Sequence, residues 1–342
     1  MDWHRHHNTR SLPWKGIKDP YKIWLSEIIL QQTRAEQGRP YYERFTEAYP
    51  TVQELAQAPE DDVFKRWQGL GYYNRCRNLL ATARTVSESY DGQFPPSYEG
   101  LLALKGIGPY TAAAIASFAF DLPHAVADGN VYRVLARYLG LYTPPATPEG
   151  KALFSEKANQ LLDKAHPAQW NQAIMDLGAT VCTPQNPRCN DCPVQDDCYA
   201  FRNRAIGELP ARISKAPLKQ RYLHYVLLQS GNELWMSRNE SAGIWRGLYQ
   251  PFMIEAEAPL DRKALSMLPE LASLDLLPET LDYEGLLKTK LSHQALDIRF
   301  FRASVAQKPP VLSQGTWVTA ERLQTLPLPK PIAAFFEKNP YF

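Results

Sequence analysis

Four of the five cysteines, Cys182, Cys189, Cys192 and Cys198, fall in one stretch with the spacing C-x6-C-x2-C-x5-C. Thiolates are soft ligands suited to zinc or to iron–sulfur clusters, and such clustering obliges one loop to turn its sulfurs toward a common point. Zinc sites usually pair C-x2-C units, and only Cys189 and Cys192 form such a unit. One compact loop supplying all four ligands suits a cubane cluster better. Cys76 stands apart in a helical pattern and reads as an ordinary buried thiol.

The chain of 342 residues is long enough for about two domains. Apolar residues recur at helical spacing in 20–33, 52–68, 76–89, 98–119, 130–140, 150–164 and 168–181, and residues 1–205 read as helical. Residues 206–219, IGELPARISKAPLK, lack periodicity and read as a linker. From 220 to 342 the character changes. The stretches 221–229, 233–237 and 296–305 are rich in β-branched and aromatic residues, with helical patterns near 260–267, 319–325 and 329–338. The expectation is a multidomain protein, all-α first and a smaller α/β domain second. No apolar run is long enough for a membrane span, and the N-terminus Met1-Asp2-Trp3-His4-Arg5 has no secretory apolar core, so the cytoplasm is expected. Net charge is +2, with 22 basic against 22 acidic residues up to position 205 and 16 against 14 beyond it. Bulk charge therefore neither argues for nucleic acid nor excludes it.

The cysteine loop directly succeeds the helical stretch WNQAIMDLGATVC, and together they resemble the iron–sulfur loop of the endonuclease III and MutY group of DNA glycosylases. The resemblance implies a [4Fe–4S] cluster on Cys182, Cys189, Cys192 and Cys198 that holds a DNA-contacting loop in shape. Residues 101–119, LLALKGIGPYTAAAIASFA, read as two helices joined at Gly106 and Gly108. Beside the cysteine loop they resemble the helix-hairpin-helix of that group, which grips the DNA backbone without reading sequence. Strand-cleaving members carry a lysine two residues after the last hairpin glycine. This chain has Tyr110 there, and a phenol cannot form a Schiff base, so the resemblance implies a monofunctional glycosylase.

Glu27 sits in the helical pattern PYKIWLSEIILQQT with Ile23, Trp24 and Leu30 on neighbouring turns. On pattern alone it is either a mis-faced surface residue or a buried acid with a raised pKa. Asp128 in ADGNVYRVLAR reads on composition as the cap of a helix. SEIILQQT resembles the MutY-type helix that carries the catalytic glutamate, and DGNV the loop that carries the superfamily's catalytic aspartate. Cleaving an N-glycosidic bond needs both an acid for the leaving base and a carboxylate for the cationic sugar. The resemblance makes Glu27 the acid toward adenine, Asp128 the electrostatic stabiliser or transient nucleophile, and Tyr110 and Asn130 their orienting partners.

An enzyme acting on a base within a duplex must extrude it and prop the gap. By matching position, Gln32 is the wedge, Thr33 contacts the partner base, and Leu70 and Tyr72 in QGLGYYNR lie beside it. The resemblance implies that Trp14, Lys15, Leu30 and Asp176 line the adenine pocket. Lys15 stands where relatives often have arginine, keeping the charge without the planar fork. Tyr132 is a second departure, at a place where some relatives have lysine.

Residues 220–342 resemble the Nudix-like domain of the same enzymes, carried by GIWRGLYQPF at 243–252. The downstream stretch lacks the R-E-x-x-E-E pattern that holds magnesium, so nucleotide hydrolysis is not expected. Leu291-Ser292-His293 matches a lesion-reading Phe-Ser-His loop except that Leu291 replaces the aromatic, and Ser292 and His293 would contact the partner base. The chain is thus identified as a member of the MutY-type group, with a helix-hairpin-helix core at about 17–120 and an iron–sulfur helical part at 1–16 and 121–205. The implied partner is double-stranded DNA with adenine opposite 8-oxoguanine or guanine, met by a monomer at the nucleoid; no clamp-type partner is specified. The rival readings are an endonuclease III-like enzyme for oxidised pyrimidines and a non-catalytic, metal-stabilised DNA-binding protein.

Overall fold

Asp19 and Pro20 start the helix around which the first part of the chain packs. Asp19 accepts hydrogen bonds from the backbone N–H of Tyr21 and Lys22, and Pro20 fills the first helical position, where no N–H is needed. In the computed structural model, which describes residues 1–339 apart from 215, 275, 278 and 313, this helix spans Pro20–Leu30 and buries Tyr21 and every residue from Ile23 to Ile29. It is the second helix in chain order, α2, after a short α1 at Asp2–His6. Next come helices α3 (Ala35–Ala48), α4 (Val52–Gln57), α5 (Glu60–Trp67), α6 (Asn74–Ser89) and α7 (Tyr98–Leu102). The hairpin then leads into α8 (Pro109–Phe120), and α9 (Gly129–Leu139), α10 (Pro148–Leu161), α11 (Pro167–Thr180) and α12 (Tyr199–Arg202) complete the helical part.

The α8 face is built from small residues. Ala112, Ala113, Ala114, Ala116 and Ser117 are buried, and these short side chains allow α8 to lie against α2. Another close approach joins α9 and α11 at Gly178. A Cβ there would lie 2.8 Å from the Asn130 carbonyl oxygen, and the obstacle is backbone rather than a flexible side chain. The expected helical segments are helical in the structure, which also adds the short α1 and α12 and differs in two larger places. Residues 52–68 form two helices, parted at Ala58 and Pro59. Helix α3 was absent from the periodicity because its sequence, AEQGRPYYERFTEA, is polar and carries Gly38 and Pro40; it buries only Gly38, Tyr42 and Phe45.

The later part is one sheet. Strands β1 (Lys219–Ser230), β2 (Glu233–Arg238), β3 (Tyr249–Gln250), β4 (Phe252–Ala256), β5 (Asp282–Lys290), β6 (Gln294–Ser304) and β7 (Gly315–Val318) pair in the order β3-β2-β1-β6-β5, with β4 on β1 and β7 on β2. β1 and β6 are parallel, in register from Lys219 opposite Gln294 to Gln229 opposite Ser304, and the other pairs are antiparallel. The central β1 buries Leu223–Leu228 continuously, as a strand covered on both faces must. Helices α13 (Arg262–Ser266), α14 (Pro269–Ala272), α15 (Ala320–Thr325) and α16 (Lys330–Lys338) accompany it. Position 215 of the expected linker and positions 340–342 of the expected second domain lie outside the described residues.

By its contacts the chain forms two compact units: residues 1–58 with 77–214, and 59–76 with the described residues of 215–342. The segment 59–76, within the helical half of the sequence, thus packs as part of the second unit. Substituting Gly178→Ala should cost about 1–3 kcal/mol in the first unit, since α9 and α11 must separate to admit the methyl group. Thermal denaturation checks this, and a melting temperature equal to that of the parent would contradict it.

Candidate active site

Two carboxyl groups meet at the N-terminal end of α9 and the middle of α2. Asp128 caps α9, its Oδ1 accepting from the N–H of Asn130 and of Val131, each at 2.8 Å. Its Oδ2 accepts from Asn130 Nδ2 at 2.7 Å. The cap reading from composition therefore holds, and the same geometry fixes the carboxylate. Burial pushes the Asp128 pKa up, and these hydrogen bonds with the nearby Arg133 charge oppose the rise.

Glu27 is only 7% exposed. Burial pushes its carboxyl up to about 7; the charge of Asp128 adds to the rise, and the hydrogen bond donated by the Tyr110 hydroxyl offsets part of it. The Tyr110 phenol is itself held well above its ordinary value by burial and by both carboxylates. Tyr110 therefore stays a neutral donor between two acids. One acid is thus partly protonated near neutrality, while its neighbour is fixed by three donors. Burial raises both carboxyls, but Asp128 alone accepts three hydrogen bonds that favour its charged form, and such unequal environments are how one site supplies an acid and a carboxylate together.

Behind this pair lies a residue that the sequence pattern did not single out. Arg133, buried on α9, donates Nη2 to Asn130 Oδ1 at 2.9 Å and to the Gly178 carbonyl at 2.5 Å. Its Nε donates to the Cys182 carbonyl at 2.6 Å. One guanidinium thus joins the partner of Asp128 to the first cysteine of the loop. Its fixed planar fork suits a site with three carbonyl-type acceptors.

The four cysteines carry no disulfide. Cys182 comes just after α11, one turn of 3₁₀ helix starts at Cys189, and Cys198 precedes α12. Burial and the neighbouring thiols push Cys189 and Cys192 up, so the sulfurs sense one another. Arg137 donates Nη1 to Cys182 Sγ at 3.4 Å and to the Thr183 carbonyl at 2.8 Å, and its Nε donates to the Leu209 carbonyl at 3.0 Å. Arg137 thus braces the first cysteine of the loop, and the all-sulfur donor set fits an iron–sulfur cluster. Among the described residues no group of three or more His, Cys, Asp or Glu side chains is placed for a single metal ion.

The other expected residues fall into separate groups. Asp176 is fully buried and accepts from Lys15 Nζ at 2.9 Å, Arg10 Nη1 at 3.0 Å and Asn8 Nδ2 at 2.7 Å, and these partners hold its pKa down against burial. Lys15 and Asp176 were expected in one pocket, whereas Asn8 and Arg10 were not; basic residues on either side of Leu12-Pro13-Trp14 were the available signal. Trp14 packs edge-on against Tyr42 with centroids 5.3 Å apart, and Leu30 closes over Gly38. Gln32 has a left-handed conformation, φ 58°, just past α2, and Thr33 hydrogen-bonds back to the Gln31 carbonyl. Gly106 has φ 77° and a Cβ there would strike Asn78 at 2.7 Å, whereas a Cβ on Gly108 meets nothing within 4 Å. Packing thus requires the first glycine, and the second leaves open space at the start of α8.

In the second unit, Leu70 is buried and Tyr72 is 49% exposed. Tyr72 has φ 50° and lies under the Arg75 guanidinium at 5.4 Å. Its hydroxyl hydrogen-bonds the Ser292 hydroxyl. Ser292 and His293 are exposed in the short connection between β5 and β6. The Glu27 geometry makes a direct prediction. Carbon-13 NMR should show its carboxyl titrating near 7, higher still in Tyr110→Phe, which removes the donor to the carboxylate, and lower in Asp128→Asn, which removes the like charge. Movement in the opposite sense in either variant would contradict the arrangement.

Comparison with known proteins agrees across both units. Residues 25–160 match the HhH-GPD superfamily of base excision DNA repair proteins, 182–198 the iron–sulfur binding domain of endonuclease III, and 224–338 a NUDIX domain. The chain is 36% identical over 251 residues to the adenine DNA glycosylase of Buchnera aphidicola subsp. Baizongia pistaciae, covering 73% of this chain and 71% of that protein. It is 45% identical over 211 residues to the adenine DNA glycosylase of Rattus norvegicus, covering 59% of this chain and 41% of that longer protein. Among solved structures, a thermostable thymine-DNA glycosylase superposes with TM-score 0.54 at 30% identity, covering 58% of this chain and 92% of that one. A trapped endonuclease III–DNA covalent intermediate superposes with TM-score 0.51 at 20% identity, covering 59% of this chain and 94% of that one, a likeness of fold. The match at 182–198 accordingly gives the chain a [4Fe–4S] cluster, which Cys182, Cys189, Cys192 and Cys198 would hold. The chain belongs to the adenine DNA glycosylases, base-excision DNA N-glycosylases of the HhH-GPD superfamily.

Proposed function

We propose that this DNA-binding enzyme removes adenine mispaired with 8-oxoguanine, and more slowly with guanine, by hydrolysis without strand cleavage. The observation that carries the reading is the buried Glu27 carboxyl, pushed up to about 7 beside an Asp128 fixed by three donors. Protonated Glu27 donates its proton to a ring nitrogen of the extruded adenine. The bond from C1′ of the sugar to adenine breaks, and its electron pair leaves with the base. The ionised Asp128 faces the cationic sugar that remains, and water adds to C1′ and gives up one proton to the Glu27 carboxylate left by the first step, which yields the abasic site and restores the acid. Asn130 and Tyr110 keep the two carboxyl groups in register. Tyr110, with no amine, supports hydrolysis in place of Schiff-base chemistry.

Trp14 and Leu30 form apolar walls for adenine, while Lys15 acts through Asp176, to which its ammonium is already committed. The open space at Gly108 and the N–H groups at the start of α8 suit a DNA phosphate. Gly106 shapes that turn. Gln32 and Thr33, just beyond the catalytic helix, attend the gap left by extrusion. In the second unit, Leu70 and Tyr72 are assigned to DNA contact. Ser292 and His293 read the partner base. In this reading residues 1–205 carry the chemistry, 206–219 form the linker, and 220–342 read the lesion. The enzyme acts as a monomer on chromosomal DNA in the cytoplasm, and among the described residues no helix is long and apolar enough to cross a membrane.

The test is single-turnover cleavage of a duplex with adenine opposite 8-oxoguanine, followed by alkali to break abasic sites. The wild type should yield alkali-dependent breaks at that adenine. Glu27→Gln should lose about 10²–10⁴-fold in rate, the usual worth of a positioned general acid. Breaks without alkali, or full activity in Glu27→Gln, would overturn the assignment.

A further inference from the structure

Helix α5 lies in the helical half of the sequence, yet its contacts place it with the sheet. Its first turn carries Glu60, Asp61 and Asp62, an acidic end in keeping with the positive pole of a helix. Arg238, at the end of β2, extends Nη2 to Glu60 Oε1 at 2.8 Å and to Asp61 Oδ1 at 4.0 Å. The same guanidinium is braced by the sheet side of the unit, Nε donating to the Gly247 carbonyl at 3.1 Å. The Tyr249 hydroxyl donates to Asp61 Oδ2 at 3.3 Å. Farther along the helix, Lys65 Nζ donates to the Leu326 carbonyl at 3.0 Å, and the Leu328 N–H donates to Gln68 Oε1 at 3.2 Å. Both ends of α5 are therefore held.

The turn after α5 is closed by its own contacts. Gly69, Gly71 and Tyr72 all have positive φ, at 102°, 72° and 50°. The Gly71 carbonyl accepts from Trp67 Nε1 at 3.0 Å and from Arg75 Nη2 at 3.3 Å. Arg75 lies over the rings of both Trp67 and Tyr72. A turn closed in this way transmits the placement of the last turn of α5 to the Tyr72 ring, whose hydroxyl bonds Ser292 in the loop between β5 and β6.

We propose that Arg238 is a positioning residue for recognition of the base opposite adenine: by holding the acidic end of α5 it keeps Tyr72 in register with Ser292. This inference rests on the proposed function. Arg238 is remote in sequence from every residue assigned to chemistry or to DNA. Its loss should therefore impair the distinction between partner bases while sparing adenine cleavage itself.

The experiment uses the full-length, iron-loaded protein in three forms: wild type, Arg238→Glu, and Glu60→Lys combined with Arg238→Glu, which restores opposite charges. Single-turnover cleavage is measured for adenine opposite 8-oxoguanine and opposite guanine, and hydrogen exchange of the 59–76 amides is monitored without DNA. Exposed ion pairs are individually weak, so Arg238→Glu should slow the 8-oxoguanine duplex about fivefold. The guanine duplex should be unchanged, exchange in 59–76 should quicken, and the double variant should recover most of both effects. Equal loss on both duplexes, quickened exchange with an unchanged ratio, or unchanged exchange would each overturn the proposal. A wild type that cleaves neither duplex would instead contradict the proposed substrate, and the exchange comparison would still decide whether Arg238 holds the segment.

Discussion

A carboxyl group taken out of water is the constraint on which this molecule is organised. Glu27 sits on a helix whose neighbours are buried on nearly every side, and a charge there has little solvent to stabilise it. The protein answers by leaving that group partly protonated near neutral pH and by giving it one neutral donor, Tyr110. Packing α2 deep enough to do this requires the alanine face of α8. Stabilising the second carboxylate requires the free N–H groups at the start of α9. The architecture of the helical part is thus largely what two adjacent acids demand.

The iron–sulfur loop extends the same logic. Asp128 is held by Asn130, Asn130 by Arg133, and Arg133 by the backbone of Gly178 and Cys182. Each link is a hydrogen bond between well-packed partners, and the close approach of α11 at Gly178 leaves little slack. The cluster need not touch substrate to matter. Once bound, it would anchor the loop whose first cysteine meets Arg133.

Much of this was legible in the residues. The cysteine spacing could be read because it is local and chemically unusual, whereas the hairpin glycines and the two acids were singled out only through the resemblance that the spacing raised. Asp128 was legible twice over, since a helix cap and a fixed carboxylate ask for the same residue. Helix α3 escaped because Gly38 and Pro40 break its pattern, although Gly38 is there to admit Leu30. Strand β5 escaped because it is an edge strand with a bulge between Tyr283 and Gly285, which spoils alternation. Arg133 looked like one more basic residue on an amphipathic helix, and only burial among three backbone and amide oxygens distinguishes it. The attachment of 59–76 to the sheet unit depends on pairs far apart in the chain, such as Asp61 with Tyr249, which no local pattern encodes.

The central claim is that a protonated Glu27 delivers the proton that releases adenine. The rate of the chemical step as a function of pH, measured under single-turnover conditions, tests it most directly. Because the carboxyl is raised to about 7, the acid form is present below that pH and lost above it, so the rate should fall as pH rises through neutrality. A rate that stays level well into the alkaline range would contradict the account.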